Sequence, residues 1–312
     1  ENEEYENVEL CMTMNSSWGY NQFDNDWKKP EYILWCLLRA NKLGGNLLLN
    51  IGPRADGTIP EESQSVLKTV GQWINTNSDG IYGTRKSPLQ FNLPYGPTTW
   101  CKKNNIQHLY YHIFYWDGSG ELWLPGIMNP TNEIELLFPE NPQLTFQVEA
   151  IKGIGLHITG LPQTKISEMC TMLDIKFKNE PNLNEGTREI NNIIHLYALG
   201  AQIENVAIDD FKTKPCINWY SGRCINYKVI ITRAGTYDVS AQLAGYYPGT
   251  ITFNFENKQK LTGNNKATFG HDNFEWQNMG SIHLEPGEYK LSITANQVDL
   301  WLKIREFKMK RQ

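Results

Sequence analysis

The side chains best suited to ligand chemistry fall mostly in two loops of the first 60 residues. One, Asn15 to Lys29, carries Trp18, Tyr20, Phe23 and Trp27; the other, Gly52 to Ile59, follows Asn50 and carries Arg54 and Asp56. Asn50 and Arg54 are placed to face a ligand, although Gly-Pro-Arg-Ala-Asp-Gly is also a plain turn in which Asp56 bonds backbone amides ahead of Gly57. A further supply of rings, Trp219, Tyr220, Tyr246, Tyr247, Phe274 and Trp276, lies far downstream. Exposed at a loop edge, Tyr246, Tyr247 and Trp276 would form a platform for sugar rings; buried, they would be ordinary β-sandwich core.

Metal and cofactor chemistry has little support. The six cysteines include no CxxC or CxxH pair, which argues against zinc. Cys216 and Cys224 bracket a short segment and could close a loop, but spacing does not fix connectivity. Glu204, Asp209 and Asp210 are candidates for a structural calcium ion, without EF-hand spacing. No other cofactor is expected. The 312 residues carry 29 Lys+Arg against 34 Asp+Glu, a net charge of −5 spread along the chain, so no basic stripe recommends a nucleic-acid partner. No apolar run of about 18 residues recommends a membrane. The length suggests two or three domains.

The elements that must position these residues fall into three stretches. Glu6 to Met14 reads as a strand, and Pro30 to Leu43 as a helix with Ile33, Leu34, Leu37, Leu38 and Asn41 on one face. Asn46 to Ile51 reads as a strand buried on both faces, and Pro60 to Thr76 as a helix burying Val66, Leu67, Val70, Trp73 and Ile74. Two such β-α units cannot close a sheet alone. From Gly80 the period becomes two: His108 to Trp116, Gly120 to Ile127, Asn132 to Phe138, Leu144 to Ile151, Ile154 to Thr159 and Thr171 to Lys178 predict an antiparallel sandwich. Asn179 to Asn192 is polar enough for a linker, and six further predicted strands between Tyr227 and Lys308 suggest a second sandwich. The opening residues, ENEEYENVEL, enter a strand without a Met, so residue 1 is expected to be an interior point of a longer enzyme.

Two stretches, ELCMTMNSSWGYN (9–21) and GGNLLLNIGPRADGTIP (44–60), with Gly71-Gln72-Trp73 and Gly80-Ile81-Tyr82-Gly83 after them, closely resemble the end of the catalytic barrel of family 29 glycoside hydrolases, the retaining α-L-fucosidases. The resemblance reaches about residue 178, through the Trp-Leu-Pro-Gly turn at 123–126. It implies an α/β plus all-β fold class: the end of a (β/α)8 barrel (1–79), then two antiparallel β-sandwich domains. The first (80–178) is of fucosidase type; the second (185–312) more loosely resembles an accessory carbohydrate-binding module.

It also implies a fucosylated glycan as substrate, cleaved by double displacement in a secreted or periplasmic enzyme. Barrel active sites lie at the carboxyl ends of the strands, where both loops fall. In the family the residue matching Trp18 lies against the methyl group of fucose, which a ring covers at low cost; otherwise Trp18 packs the loop. Tyr20 either donates its hydroxyl to the sugar or packs. Retaining hydrolysis needs two carboxyl groups about 5 to 5.5 Å apart. The family's nucleophile lies on a mid-barrel strand that nothing here matches, and its histidine cluster matches none of the six His of this chain. The chain alone is therefore expected to be inactive, its partner being the upstream part of the same enzyme. Glu4 and Glu9 are the acid/base candidates, though Glu9 lies about 13 Å from the loop end of its strand. The rival reading is a non-catalytic glycan-binding β-sandwich protein.

Overall fold

The computed structural model describes residues 9–203, 207–209, 211, 213–220, 222–256, 259–297 and 302–312. Glu4, Glu204, Asp210 and Trp301 lie outside the described residues, as does the side chain of Asp209.

The chain begins β1 (Glu9–Thr13), α1 (Pro30–Lys42), β2 (Asn46–Asn50), α2 (Glu61–Thr76). Pro30 opens α1 with Glu31 in its first turn and Arg39 and Lys42 in its last, charges that suit the helix dipole. Gly44 takes φ +80°, which a side chain would resist, and ends the helix. The chain then returns so that β2 pairs parallel with β1, from Glu9 beside Asn46 to Thr13 beside Asn50.

The second strand was expected to be buried on both faces, and among the described residues neither strand is. Met12, Leu47 and Leu49 pack toward the helices, whereas Cys11 is exposed and Leu48 is 50% exposed. Among the described residues this sheet has two strands, and both helices cover the same side. Helix α1 carries the opposite surprise. Ile33 packs with Met14, Val66 and Val70, while Leu34, Trp35, Cys36 and Leu38 join a second core shared with the downstream strands. Trp35 meets Phe114 edge-on at 5.2 Å and Phe211 at 5.9 Å. A helix with protein on two sides needs apolar residues round most of its circumference. On α2, Leu67 is 38% exposed rather than buried.

Seven antiparallel strands follow: β3 (Thr98–Lys103), β4 (Ile106–Ile113), β5 (Glu121–Pro125), β6 (Ile134–Leu137), β7 (Gln147–Ile151), β8 (Gly155–Thr159) and β9 (Thr171–Phe177). They form a four-stranded sheet, β3-β4-β9-β6, and a three-stranded one, β5-β8-β7. Leu109, Tyr111, Leu173 and Ile175 from the first meet Leu122, Leu124, Leu156 and Ile158 from the second in one core.

The remaining strands are β10 (Thr187–Ile190), β11 (Ile193–Tyr197), β12 (Gln202–Ile203), β13 (Ala207–Asp209), β14 (Cys216–Trp219), β15 (Cys224–Ile231), β16 (Gly235–Gly245), β17 (Gly249–Phe255), β18 (Lys260–Asn265), β19 (Gly270–Leu284), β20 (Gly287–Gln297) and β21 (Leu302–Arg311). All twelve belong to one sheet that doubles back at β10, which pairs antiparallel with β11 and parallel with β15. Trp219 is buried in its core.

The expected linker at 179–192 is thus corrected, because β10 lies inside it and buries Arg188 and Glu189 at 2% and 6% exposure. Glu189 is tolerated there because Arg233, Arg311 and the Tyr237 hydroxyl surround it. No disulfide joins Cys216 to Cys224 or any other pair among the six cysteines. No described helix is long and apolar enough to cross a membrane.

His112 on β4 ties the first helices to the strands. Thr99 Oγ1 donates to the Gly80 carbonyl (2.7 Å) and lies 2.8 Å from His112 Nε2, so the ring is assigned the Nε2–H tautomer; its buried Nδ1 has no partner. Burial pushes the imidazole down to about 3. The unfolded chain therefore takes up a proton that the native state refuses as pH falls from about 6.5 toward 3, and stability drops across that window by on the order of 4 kcal/mol. Denaturant titrations at pH 7 and pH 4 should show this loss, and His112→Gln, whose amide can still donate to Thr99, should reduce it. An equal loss in both proteins would contradict the assignment.

Candidate functional site

Because β1 and β2 run parallel and in register, the loops at their carboxyl ends emerge side by side. The Met14 N–H donates to the Asn50 carbonyl at 3.2 Å, extending the ladder into the loops. Beyond it, Asn50 Nδ2 donates to the Trp18 carbonyl at 2.6 Å. Gly52 lies against the other loop so closely that a Cβ there would stand 2.6 Å from the carbonyl carbon of Gly19 and 2.7 Å from the Tyr20 nitrogen. The Arg54 guanidinium lies over the Tyr20 ring, 5.6 Å from its centroid. A hydrogen bond to Tyr20 and the more distant Glu62 and Glu61 favour its charged form. Trp18, Tyr20, Asn50 and Arg54 are thereby brought together.

The aromatic loop is held by side chains that sequence reasoning passed over. Asp24 accepts from the Ser16 N–H (3.1 Å) and the Ser17 hydroxyl (2.6 Å). The Ser17 bond, chief among these, holds the Asp24 carboxyl below its ordinary range. The Lys28 ammonium reaches back to Thr13 Oγ1 at 3.3 Å and to the Asn15 carbonyl, and partial burial lowers its pKa. Two serines followed by Asp24 and Asp26 in a glycine-poor loop were the available signal for such a turn-bonding carboxylate. With the loop so fixed, Trp18 is 62% and Tyr20 45% exposed, a rim of rings beside a guanidinium. Asp56 accepts from both the N–H and the hydroxyl of Thr58, at 3.0 and 2.7 Å, and so belongs to its own turn.

The other candidates lie elsewhere. Glu9 is exposed at the opposite end of β1 from the loops, paired in register with Asn46. Tyr246 and Tyr247, each 49% exposed, follow β16, with Tyr246 edge-on to His271 at 4.7 Å. Trp276 is 42% exposed but stands opposite Gln242, four residues or about 13 Å back along β16, and the Lys308 ammonium lies 4.1 Å from its ring centroid. Among the described residues no group of three His, Cys, Asp or Glu side chains is arranged to hold a metal ion.

Residues 1–79 match the family model described as Alpha-L-fucosidase. Two curated relatives are a plasma alpha-L-fucosidase of Homo sapiens, 34% identical over 167 residues (52% of this chain, 35% of the relative), and an alpha-L-fucosidase of Dictyostelium discoideum, 32% identical over 160 residues (48% and 34%). The chain thus matches about a third of the length of these relatives. Among solved structures, an alpha-L-fucosidase from Vibrio sp. strain EJY3 superposes on 97% of this chain and 54% of its own with a TM-score of 0.64 at 18% identity, a likeness of fold. The N-terminal region, residues 1–79, is thus similar to the α-L-fucosidase family of glycoside hydrolases.

Proposed function

We propose that this chain is the carboxyl-terminal portion of a retaining, exo-acting α-L-fucosidase that removes terminal α-L-fucosyl units from glycans outside the cytoplasm. In this reading residues 1–79 complete a (β/α)8 barrel, 80–178 form the family's β-sandwich, and 185–312 form an accessory sandwich. One carboxylate attacks the anomeric carbon to form a fucosyl-enzyme, and water releases fucose in a second displacement. The nucleophile and the histidines that hold the sugar hydroxyls belong to an upstream segment.

The carrying observation is the pair of loops locked together through Asn50, Gly52 and Arg54 at the carboxyl end of two parallel strands. That is where barrel enzymes keep their chemistry. The uncovered Cys11–Leu48 face of the same sheet is the side that earlier barrel strands would cover. Trp18 shields the fucose methyl group, Tyr20 and Arg54 line the wall beside it, and Asn50 holds the Trp18 backbone in place.

The test is release of nitrophenol from a nitrophenyl α-L-fucoside. The 312 residues alone should release none; the complete enzyme, or the chain mixed with the preceding polypeptide, should. Trp18→Ala in the complete enzyme should raise KM by about tenfold or more, as expected for losing a ring of this size from a sugar contact. Turnover by the chain alone would disprove the missing-nucleophile reading, and a complete enzyme that cleaves other glycosides but not fucosides would disprove the substrate.

A further inference from the structure

A cavity of about 350 Å³ lies where the β5–β8 sheet meets β10 and β11, and none of its lining comes from residues 1–79. Its volume is within the range of small-molecule sites, roughly 300 to 1,000 Å³. Three aromatic residues, Tyr95, Trp123 and Tyr197, form part of its wall. They are fixed: Trp123 stacks on His157 with centroids 3.8 Å apart, and Tyr95 packs on Tyr197 at 5.1 Å.

The polar lining is unusual in one respect. Arg188 is 2% exposed, its two terminal nitrogens donate to the carbonyls of Gly186 (2.7 Å) and Asn184 (2.6 Å), and its buried Nε has no partner. That Nε is shielded from the cavity, so Arg188 stiffens the wall by tying two backbone carbonyls together and leaves the polar contacts to the rim. Asp117 at the exposed rim accepts from Ser119 and, at 3.4 Å, from the Tyr95 hydroxyl, while Glu121 is bonded to His157. Two carboxylates in the lining, with His195 already paired to Glu306, argue against an anionic occupant. Sugar hydroxyls, each both donor and acceptor, suit a wall offering a carboxylate and aromatic faces together.

We propose that this cavity is a binding site for a neutral saccharide unit, with Asp117 taking its hydroxyls and Trp123 and Tyr197 its apolar surface. Because the wall is drawn from both β regions, occupancy would also hold them together.

Ligand-observed saturation-transfer NMR on the 312-residue chain tests this with methyl α-L-fucoside, methyl β-D-galactoside and lactose at millimolar concentration, and sodium glucuronate as the anionic comparator. At least one neutral sugar should bind and glucuronate should not compete with it. Asp117→Ala should weaken binding by about tenfold, the scale of one hydrogen bond to a charged group, and Ser119→Trp, an exposed position at the mouth, should abolish it. Both variants alter surface residues, so folding is preserved, whereas Arg188→Met would strip the Gly186 and Asn184 carbonyls of their donors. Trp18→Ala should leave unchanged the binding that Ser119→Trp abolishes, which keeps the result independent of the fucosidase reading. Absence of binding by all three sugars, preference for glucuronate, indifference to both mouth variants, or loss in Trp18→Ala would overturn the proposal.

Discussion

On the fucosidase reading proposed above, Gly52→Ala in the complete enzyme is expected to lower kcat/KM on a fucoside by about a hundredfold while leaving the rest of the fold intact. The added methyl group would fall 2.6 to 2.9 Å from the carbonyl group of Gly19 and the nitrogen of Tyr20, all of them backbone atoms that no rotamer change can move aside. The aromatic loop would have to retreat, stretching the bond from Asn50 to the Trp18 carbonyl and lifting Tyr20 from Arg54. A displacement near 1 Å at a positioning element can cost on the order of 10²-fold in rate. Steady-state kinetics with a thermal melt on the same sample distinguishes the cases. A variant with normal kinetics would mean that the two loops need not touch for function. A variant that melts early throughout would mean that the contact is structural.

The second large effect concerns stability. Trp35→Ala removes a 1% exposed indole from between Phe114 and Phe211, and should cost about 3 to 5 kcal/mol, the usual range for deleting a large core aromatic. The loss has a location as well as a size, since Trp35 is the largest side chain of α1 in the core shared with the downstream strands. Hydrogen exchange in α1 and α2 should accelerate more than exchange in β4 and β9, because the helices lose their anchor while the sandwich keeps its own core. A change below 1 kcal/mol in denaturant titrations would show that the helices are held mainly from the other side, through Ile33, Val66 and Val70.

How far these features could be read in the sequence depended on the range of the interactions. Both helices were legible, since Pro30, Glu31 and Gly44 are local signals and the apolar spacing lies within one element. The adjacency of the two loops followed from the β-α-β order, which makes parallel neighbours of the strands and aligns their carboxyl ends. Burial of Trp35 was not legible, because a second packing surface on a helix comes from residues far along the chain. The misread linker is more instructive. Asn191 and Asn192 both take positive φ (51° and 65°), as do Asn104 and Asn105 in the β3–β4 hairpin (50° and 63°). An Asn pair between two alternating runs is a hairpin signal, and at 191–192 it was masked by the charged residues before it. Those charges are buried by partners at a distance, Arg233 and Arg311 for Glu189, which a polarity count cannot see. The cavity beside Arg188 was invisible for the same reason, being formed only when two separate β regions meet.

The place of β21 in the sheet bears on how the protein is made. It pairs with β11, β14 and β16, and the His195–Glu306 pair it forms with β11 joins residues 111 positions apart. Pairings of such sequence separation are slow to find, because the chain entropy of closing the loop is lost before the contact forms. Until residues 302–311 arrive, three strands present open hydrogen-bonding edges of the kind that recruit other chains. Truncated or stalled products lacking those ten residues would therefore be the species most prone to aggregate, and chaperone demand during synthesis would centre on this part of the molecule rather than on the helices.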